Sequence, residues 1–187
     1  RRSDFYGNSL LWRREMKYVV LLRGINAGKN RRIDMKELKL IFESIGCENV
    51  STYINSGNVI FESNLDKIDI QDKIELVLNE KFEFNVPTLV KTKQELEKIA
   101  DLIPEDWVND SAQKTDVAFL FSEVDYPEII DDLPVKKEYM EINYASGIIY
   151  WNVTRENYNK SHLNKIISHK IYKLMTVRNI NTVRILN

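Results

Sequence analysis

The chain has 187 residues, 43% hydrophobic and 29% charged, with a formal net charge of −1; this is the balance of a globular protein of one domain or two small halves, and it excludes a disordered chain. The longest apolar runs, Tyr18 to Leu22 and Val117 to Phe121, are strand-sized and fall far short of the roughly 20 residues that span a bilayer, so no membrane segment is expected. The single cysteine, Cys47, excludes an internal disulfide framework and a multi-cysteine metal site, and without a secretory-type apolar N-terminus it points to a reducing cytoplasm.

Residues 1–16 lack the alternation that follows and read as a tail, added or over-extended upstream of a natural start at Met16; otherwise Leu10, Leu11 and Trp12 pack on the body. Residues 17–22 then form an apolar strand. A helix starts near Asp34, with Met35, Leu38, Ile41, Phe42 and Ile45 at the 3.6-residue period and Gly46 at its end. Strands near 50–54 and 58–62 flank a tight turn at Asn55-Ser56-Gly57, a second helix covers about 66–81, and a strand runs from Val86 to Lys91. This is βαββαβ, the ferredoxin-like order. Tyr18, Val20 and Leu22 alternate with Val19 and Leu21, so both faces of the first strand are apolar and the second half should cover the one its own helices do not.

The second half repeats the theme in weaker form. Thr92 and Glu95 form a capping box, a loop passes Trp107, and a strand spans Asp116 to Phe121. The string EINYASGIIYWNV then matches TYINSGNVIFES in its order of strand, Ser-Gly turn and strand, as a degenerate duplication would. A helix is expected over about 159–169, and Ile180, Val183 and Leu186 give the last segment a helical period. The fold class is therefore α+β, two ferredoxin-like halves over 17–92 and 93–187 packed together.

The string LLRGINAGKN after the first strand raises the question of phosphate binding. A P-loop needs GxxxxGK[ST], whereas only three residues separate Gly24 from Gly28-Lys29, and Asn30 replaces the hydroxyl. The following helix is predicted to carry its own capping carboxylates, Asp34 and Glu37, with Ile33 and Leu38 as a hydrophobic staple. What remains is a cationic loop of Arg23, Lys29, Arg31 and Arg32. Charge is segregated elsewhere too: between Asp101 and Glu141 twelve acids oppose three lysines, whereas Arg155 to Asn187 holds seven bases and one acid.

LLRGIN at 21–26, TYINSGNVIF at 52–61, VPTLVKT at 86–92 and RNINTV at 178–183 resemble a widespread bacterial family catalogued only as a domain of unknown function. Its members commonly have a second glycine where Ala27 or Gly28 stands, and an aromatic residue where Ile180 stands. The resemblance implies two ferredoxin-like halves. It implies no established activity, so no catalytic residue is carried over.

The matching segments are rich in Asn, Ser and Arg. Arg23, Asn26, Lys29, Asn55, Ser56 and Asn58 from the first half, with Lys160, Ser161, Arg178, Asn179 and Asn181 from the second, are expected to converge on a polar groove between the halves that holds a small anionic ligand, a nucleotide or phosphorylated metabolite. A local role competes at each position, since Asn and Ser favour turns and Asn179 is placed to cap the last helix. Nucleic-acid binding through the basic loop and C-terminal segment is the alternative; Tyr18 and Phe61 suit base stacking, yet the third strand lacks the paired aromatics of an RNA-reading sheet. A third reading presents the acidic stretch to a basic partner with Trp107 as its anchor.

An enzyme is disfavoured. His162 and His169 stand seven apart, too far for an i, i+4 ligand pair, Cys47 reads as a packing residue, and Tyr53, Tyr144 and Tyr150 as strand packing. No metal or cofactor is expected, and the sequence leaves the oligomeric state open.

Overall fold

The computed structural model describes residues 15–187. The expected tail therefore lies outside the described residues, apart from its last two positions, and Met16 begins the first strand.

The first half runs β1 (Met16–Leu22), α1 (Met35–Ser44), β2 (Glu48–Tyr53), β3 (Asn58–Ser63), α2 (Lys67–Lys81) and β4 (Thr88–Thr92), with sheet order β2-β3-β1-β4. That is the ferredoxin-like order, with antiparallel pairing between all neighbours. Asp34 caps α1 by accepting from the amides of Lys36 and Glu37, and Asp66 caps α2. Each helix turns an aliphatic row inward: Leu38, Ile41 and Phe42 from α1, Ile70, Ile74 and Leu78 from α2. Those rows cover Tyr18, Val20, Leu22, Val59 and Phe61. Tyr18 and Phe61, the pair suited to base stacking, are only 2% and 1% exposed, with ring centroids 5.6 Å apart beneath the helices. No nucleic-acid base reaches that face.

The second half repeats the order. β5 (Gln113–Leu120), β6 (Glu141–Ala145), β7 (Ile148–Thr154) and β8 (Met175–Asn179) form a sheet β6-β7-β5-β8. In each half a helix follows the last strand: α3 (Lys93–Leu102), opened by the expected Thr92–Glu95 capping box, and α4 (Ile180–Leu186), capped by Asn179.

The connections differ between the halves. Where α1 and α2 cross over in the first half, the second has only 3-10 turns, at Ser122–Val124, Pro127–Ile130 and Lys137–Tyr139, then at Arg155–Asn157, Leu163–Ser168 and Lys170–Leu174. The helix expected over 159–169 is thus not formed. His162 adopts φ 58, and His169 sits between two turns, so the two histidines do not share a helix face. Local side-chain bonds compete with the helix here: Ser161 donates to the Tyr158 carbonyl and accepts from the Leu163 amide, and Ser168 donates to the Lys165 carbonyl.

The two sheets share an inner core. Val19 and Leu21 of β1 meet Val117 and Phe119 of β5 and Ile148 of β7, with Leu96 of α3 and Ile180, Val183 and Leu186 of α4 closing it. This is the cover that the two-sided apolar pattern of β1 required. Phe119, 1% exposed within that layer, is the residue whose truncation tests it. Phe119→Ala should cost about 3–5 kcal/mol in urea denaturation, with tryptophan fluorescence and far-UV circular dichroism following one coincident transition. Two separated transitions would mean that the halves fold independently.

Candidate functional site

The loop after β1 meets the C-terminal segment through two inward-facing cations, Arg178 and Arg23. Arg178 on β8 is 7% exposed and donates from Nε to the Asn58 Oδ1 at 2.7 Å, from Nη1 to the Thr176 hydroxyl and the Val177 carbonyl, and from Nη2 to the carbonyls of Leu22 and Ser56. All five N–H groups of the guanidinium are thereby used. No carboxylate takes part, and burial pulls the Arg178 pKa down to about 10. Asn58, fully buried, is held in turn by donating to the Tyr53 carbonyl and the Ser56 hydroxyl. Gly57 lets this turn approach: it has φ +79, and a Cβ there would lie 2.8 Å from Cβ of Leu22.

Arg23 makes a parallel link. Its Nε donates to the Met175 carbonyl and its Nη2 to the Tyr172 carbonyl, and the guanidinium lies 5.4 Å from the Tyr172 ring centroid. Arg23, Ser56, Asn58 and Arg178 lie at the contact between the halves, and the two arginines bond to the opposite half.

The other predicted residues serve local geometry. Asn26, at φ 54, donates to the carbonyls of Ile33 and Asn55 and accepts from the Ile33 amide, which closes the loop. Beside it an open cavity of about 470 Å³ is lined by Asn26, Arg32, Asp34 and Asn55. The side chains of Asn26 and Asp34 are committed to the loop and the α1 cap, whereas Arg32 makes no hydrogen bond or ion pair among the described residues. Lys29 is exposed. Lys160 lies 3.9 Å from Glu156 on the surface, and Ser161 is buried among the turns of the second half. Asn179 caps α4 through Oδ1, and Asn181 donates to the Asn109 carbonyl. Arg178 and Asn179 cannot serve one groove, because consecutive residues of a strand point to opposite faces.

The outer face of β8 leads to a different place. A pocket of about 360 Å³ lies between the second sheet and the 3-10 turns, lined by Lys114 and Asp116 of β5, Trp151 of β7 and Val177 and Asn179 of β8, with Tyr158, Leu163, Ile166, Ile167 and Tyr172 from the turns. Asp116 pairs with Trp151 on one side and Asn179 on the other in the strand register, so the three form a row across the sheet. Asp116 is 4% exposed. Its Oδ2 takes Lys114 Nζ at 2.9 Å and Trp151 Nε1 at 3.2 Å. Among the described residues no group donates to Oδ1, yet no fully buried polar side-chain atom lacks a partner, so Oδ1 keeps some exposure on a residue that lines the pocket. Sequence reading began the strand at Asp116 and left Lys114 outside it; the signal it passed over is a pair of opposite charges at i and i+2 entering an apolar run.

Cys47 is buried, and desolvation raises its thiol from 9.0 to about 12, the condition of an inert packing residue. Trp107 is half-buried on the shared core with its ring 6.0 Å from Tyr150, and its carbonyl accepts from Arg184, which ties its loop to α4. No group of three or more His, Cys, Asp or Glu among the described residues is placed to hold a metal ion. No helix among them is long and apolar enough to cross a membrane.

This architecture defines a protein class of two ferredoxin-like halves riveted by buried arginine, with a lined pocket on the outer face of the second. The chain belongs to the family described as Protein of unknown function (DUF1697), whose family model matches residues 16–150. It is similar to a solved structure, that of the conserved bacterial protein SP0830 from Streptococcus pneumoniae, with a TM-score of 0.81 and 26% identity over 92% of this chain and 97% of that one. No curated protein matches the sequence.

Two measurements check these assignments. Arg178→Ala strands buried oxygens on both halves and is expected to lower the unfolding free energy by roughly 3 kcal/mol or more, since each unmatched buried group costs about 1–3 kcal/mol; a loss near zero would mean the guanidinium is free. Cys47 should resist a disulfide-exchange reagent at pH 8 in the folded protein and react at once in concentrated urea.

Proposed function

We propose that the protein is a binding module for a small polar molecule held in the pocket beneath residues 155–174. The observation that carries this reading is Asp116, a carboxylate 4% exposed at the pocket wall, fixed through one oxygen while the other meets no donor among the described residues. A largely desolvated acceptor is costly to leave unmatched, so a ligand donor that reaches it gains more than it would at an exposed carboxylate. The surroundings fit the general character of a ligand site, apolar and aromatic walls with a few fixed polar groups.

This reading moves the ligand from the groove between the halves to the second half. It also changes the charge expected of it. Arg23 and Arg178, which were to hold an anion, bond to protein oxygens, and Asp116 is already neutralised by Lys114. An occupant that is polar and uncharged where it meets Asp116 suits the site better than a phosphate.

A fragment screen by nuclear magnetic resonance on 15N-labelled protein tests it, with the Trp151 indole N–H as reporter. Compounds that bind are expected to shift the Trp151 signal and leave that of Trp107 in place. Asp116→Asn should weaken them about tenfold, the worth of a charge-assisted hydrogen bond. Ile167→Trp, at a position 65% exposed on the pocket rim, should block them with little change in melting temperature. Hits that bypass Trp151 and map to the 23–34 loop would overturn the assignment.

A further inference from the structure

We propose further that the occupant is a nucleobase, bound through an edge on which an N–H donor adjoins an acceptor, as the free base or its nucleoside; this rests on the pocket reading above. The polar atoms have a definite pattern. Asp116 Oδ1 is an acceptor only, so the group that meets it must donate. Lys114 lies 2.9 Å from the same carboxylate and neutralises it, so an ammonium group on the ligand would gain little over a neutral N–H and would meet Lys114 as a like charge.

Beside this acceptor stand donors. Asn179 gives its Oδ1 to the Thr182 amide, and its Nδ2 has no acceptor among the described residues. Asn109 likewise accepts from Arg155 through Oδ1 and has no described acceptor for Nδ2. Asp116 and Asn179 face each other in the strand register, which sets their Cβ atoms about 5 Å apart. A ligand that satisfies both needs an N–H donor next to an acceptor on one rigid edge. The exocyclic amine and adjoining ring nitrogen of adenine or cytosine present that arrangement, and so do the N3–H and O4 of uracil.

The rest of the pocket suits a flat ring. Trp151, Tyr158 and Tyr172 supply aromatic surface, and Leu163 and Ile166 supply aliphatic surface. The volume of about 360 Å³ lies within the range of sites for compounds of nucleoside size.

The test is a titration of the full chain with adenosine, uridine, N6,N6-dimethyladenosine and N3-methyluridine, read by the Trp151 indole signal and by calorimetry. Adenosine and uridine are expected to bind, and the two methylated analogues, which lack the edge N–H, to bind at least about tenfold more weakly, since a site built to receive an N–H rejects an analogue without it. Asp116→Asn should shrink that difference. Equal binding of all four would overturn the base-edge assignment. If no nucleoside shifts the Trp151 signal while fragment hits still do, the nucleobase assignment falls and the pocket reading stands; if nothing shifts it, both fall.

Discussion

A guanidinium buried without a carboxylate is the constraint on which this molecule turns. Arg178 carries its charge into the contact between two sheets and offsets the desolvation with neutral oxygens alone, from the end of β1, the turn before β3 and its own strand. An ion pair tolerates some slack between partners. Five acceptors around a planar fork do not, because a shift of one residue in any of the three segments leaves a donor and an oxygen unmatched at once. The bonds thus fix the register of β8, the conformation of the Asn55-Ser56-Gly57 turn and the approach of one half to the other. Apolar burial in the shared layer supplies most of the attraction between the halves; Arg178 and Arg23 decide where they sit.

The same strand divides stability from binding. Thr176 and Arg178 point inward to the first half, while Val177 and Asn179 point outward to the pocket. The pocket exists because the second half lacks crossover helices. In the first half α1 and α2 press aliphatic rows onto the outer face of the sheet and leave no room. In the second, turns rich in serine and asparagine cover the equivalent face less closely, and polar side chains at Lys114 and Asp116 replace the aliphatic ones that a helix would have met.

Much of the fold was legible in sequence. Helical periods with Asp34 and Thr92 at their starts, the Ser-Gly hairpins and the two-sided apolar pattern of β1 each report a local rule, and local rules hold where a segment's own side chains decide its conformation. The region from 155 to 179 was not legible. Its apolar spacing permits a helix, and serine side chains bonded to nearby backbone decide against it; β8 was hidden because RNINTV straddles a strand end and a helix start. The convergence of Arg23, Asn58 and Arg178 was legible as composition, polar residues where turns alone would not need arginine. Their role was not, since a cation that grips carbonyls leaves no complementary acid in the sequence to betray it. Asp116 escaped for the opposite reason, with an obvious partner two residues away.

The rivet also sets an order of events during translation. Val19 and Leu21 of β1 are made early, yet Phe119, Ile148 and the apolar side of α4 that seal them, and the arginine that fixes the seal, come from β5 onward. Until β8 has left the ribosome, the nascent first half carries an uncovered greasy face and unmatched carbonyls on Leu22 and Ser56, the kind of surface that chaperones recognise and that neighbouring copies on a polysome can wrongly fill.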